Sequence, residues 1–455
     1  MATTLASEIR DTLRLAVPIT LAQVALMTMG LVDAALVGRV SAAELAAVSL
    51  GNSLAFAMIC PAMGVTMAVE PLASQAVGAG ESDRAWTSLR AGVLACLLLS
   101  LPTMLLVAVS ALILGPVGVD PAVVPAAQRF IWARLPGVPM WLLFMAAKAY
   151  LEARGVTRPL YVWGWLANVL NFVVCALLVF GDGALERVGL PGAGLPRMGS
   201  LGAGLATSFS NTVLAAAALL SAWHIRPEGA SLLGEREELR TMSRKLIRVG
   251  VPIGFQILTE VGVFSAVSLL VGRLGAISTA AHQIALGLAS FTFMGVLGMS
   301  GATSVRVGRA IGAGEEGGPR RAGVVGVGLG AVYMACCGLV FLVAPGPLAR
   351  LFSDDPAVLS VAESLIRVAA AFQIFDGIQG VSSGALRGAA DTRFASWMNV
   401  LCHWGVGFPC AVLLGLILGG GVVGLWWGLC IGLLVVSVAL LWRFFRISSR
   451  TIAAV

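Results

Sequence analysis

The sequence predicts an all-α integral membrane protein, with twelve transmembrane helices in two parallel six-helix repeats. Three observations predict it. Only 12% of the 455 residues are charged, about half of the ~25% that soluble domains carry. Long runs, such as 160–180 and 411–427, are nearly free of charge. And the chain repeats itself at one fixed offset.

Each element follows from these. A run of ~20 apolar residues at ~1.5 Å per residue crosses a ~30 Å hydrocarbon core. Spans are expected near 14–37, 46–70, 90–115, 128–153, 160–180, 198–224, 246–271, 280–306, 321–345, 357–386, 394–418 and 421–446. The alternation of apolar and polar residues that a membrane β-barrel needs is absent. The basic stretch before the first apolar run resembles a signal peptide. The run is long, however, and carries Asp33, so it is expected to stay as the first span.

Lys and Arg collect on the cytoplasmic side of membrane proteins. With both termini inside, 21 of the 30 fall on inner segments and seven on outer ones, while Lys148 and Arg367 lie within spans. The net charge of +7 thus reads as topology. It is not a nucleic-acid footprint, because no basic face or binding motif accompanies it. The expected location is the cell (inner) membrane. All eight cysteines sit in apolar spans without a CxxC or Cys/His cluster, and are expected to act as small apolar core residues.

Shifting the chain by 234 residues aligns Val17–Ile19 with Val251–Ile253, and Val37–Arg39 with Val271–Arg273. The same shift aligns Val77–Glu81 with Ile311–Glu315. One offset without a gap marks a duplication. Six spans per copy bring both copies in from the same side. The expected lobes are residues 1–228 and 229–455, joined by a charged cytoplasmic linker at about 225–244. No phosphate-binding loop is present, since the GAGE stretches lack its Lys-Ser/Thr. Energy for transport would come from an ion gradient.

A charged side chain in hydrocarbon costs at least ~2.5–3.5 kcal/mol, so an intramembrane acid marks a functional position. Three carboxylates fall well inside spans: Asp33, Glu260 and Asp376. Glu260 lies twelve residues from Arg248 and Asp376 eleven from Arg387, or about 18 and 16 Å at helical rise. Both are therefore near the midplane of the second lobe. Asp33 lies nineteen residues from Arg14, about 28 Å along a helix and nearer the outer face. Two acids at one depth suit a shared proton or Na⁺, and no other metal or cofactor is expected. Met27, Met29, Phe264, Phe291, Phe293 and Phe372 flank these positions. Met and Phe can line an adaptable pocket for large cations, or equally a lipid-facing surface. Lys148 and Glu152 have i, i+4 spacing. His282 and His403 each stand alone, as packing histidines usually do.

The stretches MGLVDAALVGRVSAAELAAVSLGNS from Met29, VSLLVGRLGAISTAAHQIAL from Val267 and SGATSVRVGRAIGAGE from Ser300 resemble the multidrug and toxic compound extrusion (MATE) family. AFQIFDGIQGVSSGALRGAADT from Ala371 resembles its NorM branch. The resemblance implies two six-helix lobes forming a V. It implies export of bulky, often cationic drugs or toxic compounds in exchange for Na⁺ or H⁺. It assigns ion coupling to Glu260, Asp376 and Asp33, and a polar position in the first lobe to Asn171. The family's second polar position falls on Cys175, which shifts weight to the second lobe. The expected partners are small-molecule drugs and the lipid bilayer, with no nucleic acid, and the chain is expected to act as a monomer. An alternative is a lipid or lipid-linked oligosaccharide flippase of the same superfamily, for which Lys148 is the one clear intramembrane cation. An enzyme is not expected, because no nucleophile, base or metal cluster is assembled by the motifs.

Overall fold

In a computed structural model, residues 5–187, 189, 191–230 and 235–455 are described. Part of the linker, 231–234, lies outside them. The first repeat supplies α1 (Leu5–Gly38), α2 (Ala42–Met67), α3 (Val69–Gly78), α4 (Ser82–Ile113), α5 (Val124–Arg134), α6 (Gly137–Ala153), α7 (Arg158–Phe180), α8 (Asp182–Arg187) and α9 (Ser200–His224). The second supplies α10 (Arg236–Gly272), α11 (Ala276–Gly312), α12 (Gly318–Val343), α13 (Pro345–Arg350), α14 (Pro356–Gly388), α15 (Thr392–Cys402), α16 (Phe408–Val412) and α17 (Gly421–Ser448). No strand occurs among the described residues. Eleven helices are long and apolar enough to span a membrane, and α5 with α6, bent by 50°, makes a twelfth. The protein is a multi-pass, all-helical membrane protein.

Local sequence explains the ends and breaks. Ser41 caps α2 by accepting the Glu44 N–H at 3.1 Å, the first half of a capping box. Asp355 caps α14 through the Ala357 N–H at 2.9 Å, with Pro356 in the first turn. The fourth expected span breaks after Arg134, at Leu135–Pro136. A break at membrane depth leaves carbonyls that lipid cannot satisfy. Here Ser208 Oγ on α9 donates to the Ala133 carbonyl at 2.8 Å. The eleventh span contains two π turns, His403–Gly407 and Leu413–Ile417. Pro409 has no N–H to offer the Gly405 carbonyl, and the helix shifts register so that the Phe408 N–H meets the His403 carbonyl.

The chain forms two compact units. One comprises Met1–Thr20, Glu70–Glu81 and Phe255–Val455, the other Leu21–Val69 and Ser82–Gly254. Each unit therefore draws helices from both sequence repeats. In the first unit the core gathers Val263, Leu365, Ala369, Trp426 and Leu433, all buried.

Glycines set the closest contacts. In the second unit, a Cβ on Gly64 would lie 2.0 Å from the Gly254 nitrogen and 2.8 Å from the Gly250 carbonyl oxygen. In the first unit, a Cβ on Gly298 would lie 2.0 Å from Thr20 Oγ1 and 2.9 Å from the Ala16 carbonyl oxygen. Adding 234 to 64, 16 and 20 gives 298, 250 and 254. The duplication seen in sequence is thus repeated contact by contact. Small residues allow such backbone approach where apolar solvent supplies no hydrophobic drive between helices.

Gly64→Leu is expected to destabilise the protein by more than the ~1–3 kcal/mol typical of overpacking, since backbone atoms and not flexible side chains stand in the way. Gly328→Leu is the control, because nothing lies within 4 Å of a Cβ there. Thermal unfolding of the two variants in detergent distinguishes them.

Candidate functional site

In the first unit, α14 presents Gln373, Asp376, Gln379, Ser382 and Ser383, all buried. Their spacing of three to four residues keeps them along one side of the helix. Glycines between them admit neighbouring helices. A Cβ on Gly380 would meet Val296 Cγ1 at 2.6 Å, and one on Gly384 the Ser300 carbonyl oxygen at 2.4 Å. Glu260 on α10 is half-buried, and Asp376 is 6% exposed. The two carboxylates interact electrostatically. The Gln379 carboxamide lies beside the Glu260 side chain, and Arg387 adds a longer-range positive charge. Gln256 Nε2 donates to Ser383 Oγ at 2.9 Å, tying α10 to α14 nearby. Gln373 Nε2 donates to Thr292 Oγ1 at 2.5 Å. The carboxamide oxygens of Gln373 and Gln379 are buried without protein partners. Two carboxylates with neutral oxygens around them form a donor set suited to a proton or a hard cation.

The flanking aromatics divide. Phe264 and Phe372 meet edge to face at 6.1 Å, and Phe372 packs on Trp426 at 5.6 Å. Phe293 joins a separate core cluster with Ala16, Ile19 and Val296, and Phe291 is 56% exposed. Met29 is buried and Met27 half-buried, both within the second unit. The structure thus brings Phe264 and Phe372 together, with Phe293 in a different core cluster of the same unit.

Trp426 also explains His282. Its Nε1–H donates to His282 Nδ1 at 3.0 Å, which requires an unprotonated nitrogen there. His282 Nε2 then carries the proton and faces Ser268 Oγ at 2.9 Å. Both ring nitrogens are engaged, so His282 is a structural cross-link between α10, α11 and α17.

In the second unit Asp33 is 1% exposed. Asn171 Nδ2 donates to its Oδ1 at 2.7 Å and Thr207 Oγ1 to its Oδ2 at 2.7 Å. Ser210 Oγ donates in turn to Asn171 Oδ1 at 3.2 Å. Cys175, where the resemblance led one to expect a second polar residue, lies beside Asp33. Thr207 and Ser210 carry no signal in sequence, because hydroxyls on an apolar helix usually bond their own backbone. Lys148 and Glu152 form the ion pair their spacing predicts, at 2.8 Å.

Arg134 lies at the break between α5 and α6, half-buried. It donates to Asn52 Oδ1 and lies 5.6 Å over the Phe130 ring. The Pro136-Gly137 step after it was the signal for a broken span.

These features define a multi-pass helical membrane protein, built from a duplicated unit, with carboxylates buried inside its bundle. The chain belongs to the MatE family, whose model matches residues 18–177 and again 252–413. The two matches begin 234 residues apart, at the offset of the repeat. The chain is 36% identical over 447 residues to a probable multidrug resistance protein NorM of Pseudomonas putida, covering 96% of this chain and 94% of that protein. It is 36% identical over 455 residues to the multidrug resistance protein NorM of Burkholderia vietnamiensis, covering 98% and 95%. Among solved structures, the eukaryotic MATE transporter AtDTX14 matches with a TM-score of 0.86 at 22% identity, covering 97% of this chain and 96% of that one. A mutant of the Vibrio cholerae MATE transporter VcmN matches with a TM-score of 0.85 at 18% identity, covering 98% and 99%. These likenesses establish the fold.

Thr207→Val keeps the shape and removes one donor from Asp33. A hydrogen bond to a charged group is worth about 1.5–3 kcal/mol, and a loss of that order is expected with Asp33 ionised. In the Asp33→Asn background the same change is expected to cost less, and a double-mutant cycle of unfolding free energies measures the difference.

Proposed function

We propose that this protein is a cation-coupled multidrug efflux antiporter, exchanging bulky, often cationic organic compounds for Na⁺ or H⁺ by alternating access. The observation that carries the reading is the pair of interacting carboxylates, half-buried Glu260 and buried Asp376, on helices of one unit. The NorM names of its relatives support drugs as the cargo. Sequence lobes 1–228 and 229–455 would be the parts that rearrange.

With no cation bound, the pair holds up to two negative charges in poorly solvated surroundings and attracts a cationic drug. A proton or Na⁺ from outside neutralises that charge and removes the drug's electrostatic partner. The drug leaves outward, and the neutralised protein returns to face inward. A ligand shifts such an equilibrium only by its differential affinity for the two states. Gln379, beside Glu260, holds that carboxylate in position. Asp33, with a donor on each oxygen, is a second acid of the same kind in the other unit.

Glu260→Gln is expected to abolish gradient-driven dye efflux from reconstituted vesicles and to weaken binding of cationic drugs. Adding Asp376→Asn should change little further, because residues acting as one unit are non-additive. Parent-rate export by either single variant, or losses that multiply, would remove the shared site. Lipid scrambling without dye export would favour a flippase.

The reading also places both termini and the linker in the cytoplasm of a cell whose inner membrane holds the protein. A cysteine replacing Glu235 should resist an impermeant thiol reagent in intact cells and react after permeabilisation. Reaction in intact cells would reverse the orientation.

A further inference from the structure

The least explained charge in the second unit is Arg134. It ends α5 at the 50° break in the fourth span. The site is built. A Cβ on Gly51 would lie 2.6 Å from the Phe130 ring, so α2 presses against α5 and brings Asn52 to Arg134. A Cβ on Gly204 would lie 2.7 Å from Ala133 Cβ and 3.5 Å from Arg134 Cγ, so α9 confines the arginine stem from the other side. Beyond the break, a Cβ on Gly137 would lie 2.8 Å from Ser208 Cα. The guanidinium cannot drift freely.

Its bonding is nonetheless incomplete. A guanidinium has five N–H donors in a planar fork, and the one hydrogen-bond acceptor here is Asn52 Oδ1. No carboxylate of the described residues makes an ion pair with it. Asp33 interacts with it electrostatically, but both oxygens of Asp33 already hold donors from Asn171 and Thr207. The remaining donors border a cavity of about 10 Å³, lined also by Ala55, Ile59, Val138, Trp141 and Asn211. That is room for about one water-sized atom. A charge left half-bonded within a span, at a helix break, is the arrangement with which membrane transporters meet charged groups of their substrates.

We propose that Arg134 is a specificity-determining residue that receives a carboxylate carried by the cargo, with one carboxylate oxygen entering the cavity between the guanidinium and Asn211. This inference rests on the efflux reading for its physiological use, though binding alone can test it. The cationic end of such a molecule would be free to meet an acid, while Trp141, at the cavity, offers apolar surface to its body. Arginine suits the task because its guanidinium keeps its charge and holds several N–H donors in a fixed plane, which a lysine ammonium does not.

The test uses an aromatic amine that bears a free carboxylate, together with its methyl ester. Binding of each to the purified full chain is measured by equilibrium dialysis, for the parent, Arg134→Gln and Arg134→Lys. Loss of a charge-assisted hydrogen bond of about 1.5–3 kcal/mol corresponds to roughly 10- to 100-fold in affinity. Arg134→Gln should weaken binding of the acid by that factor and leave the ester within about twofold. Arg134→Lys should fall between, which keeps the result readable if the Gln variant is unstable. Equal weakening of acid and ester, or no change in either, would overturn the proposal. So would a change in retained anionic lipid with an unaltered acid-to-ester ratio, since the guanidinium would then be holding a lipid phosphate. Efflux of the same pair from vesicles separates the two readings. If the parent binds the acid through Arg134 but exports neither compound, efflux is what fails, and the carboxylate subsite stands.

Discussion

Hydrocarbon solvates no polar group, and the rest of this structure follows from that. Every backbone N–H and C=O at membrane depth must find a partner within the protein. Long helices are the first answer. Where a helix breaks, the second answer has to be local: Ser208 reaches the Ala133 carbonyl at the bend of the fourth span, and a π turn closes the gap that Pro409 opens. The same rule governs side chains. Asp33 is buried with a donor on each oxygen, Lys148 with Glu152, and His282 between an indole and a hydroxyl. Other buried polar atoms have no protein partner, among them His403 Nε2 and the carboxamide oxygens of Gln373 and Gln379, and these last two share their helix with Asp376.

The two sites differ in design. Beside Glu260 stands the carboxamide of Gln379, which can turn to suit either protonation state. Carboxamides donate through nitrogen or accept through oxygen, so Gln379 can serve a charged or a neutral Glu260. Around Asp33 the donors are an amide and a hydroxyl, one on each carboxylate oxygen, from Asn171 and Thr207. Cys175 leaves a thiol beside it where the resemblance led one to expect a stronger polar group.

Much of the fold was legible in the sequence, because hydropathy and a rigid repeat are properties of the chain itself. The alignment of residue 64 with 298 already contained the matching helix contacts. What could not be read was the pairing of residues far apart in sequence. Trp426 and His282 are 144 residues apart, and Thr207 and Asp33 are 174 apart, with no motif joining them. Apolar residues flanking an acid in sequence spread around a helix, so Phe264 and Phe372 meet while Phe291 is largely exposed. The surroundings of Arg134 were likewise hidden, because its partner Asn52 lies 82 residues away.

The reciprocal glycine contacts have a consequence for inheritance. Gly64 is fitted to a backbone supplied by the second repeat, and Gly298 to one supplied by the first. Neither half of the gene holds a complete set of its own packing partners. A half expressed alone would present a bare helical groove, and a half exchanged with that of a distant relative would have to match a surface spaced by backbone atoms, which cannot adapt as side chains do. Although it arose by doubling a module, this protein is no longer modular: its two copies must vary together, and the slowest-changing positions should be these small ones, well away from the acids.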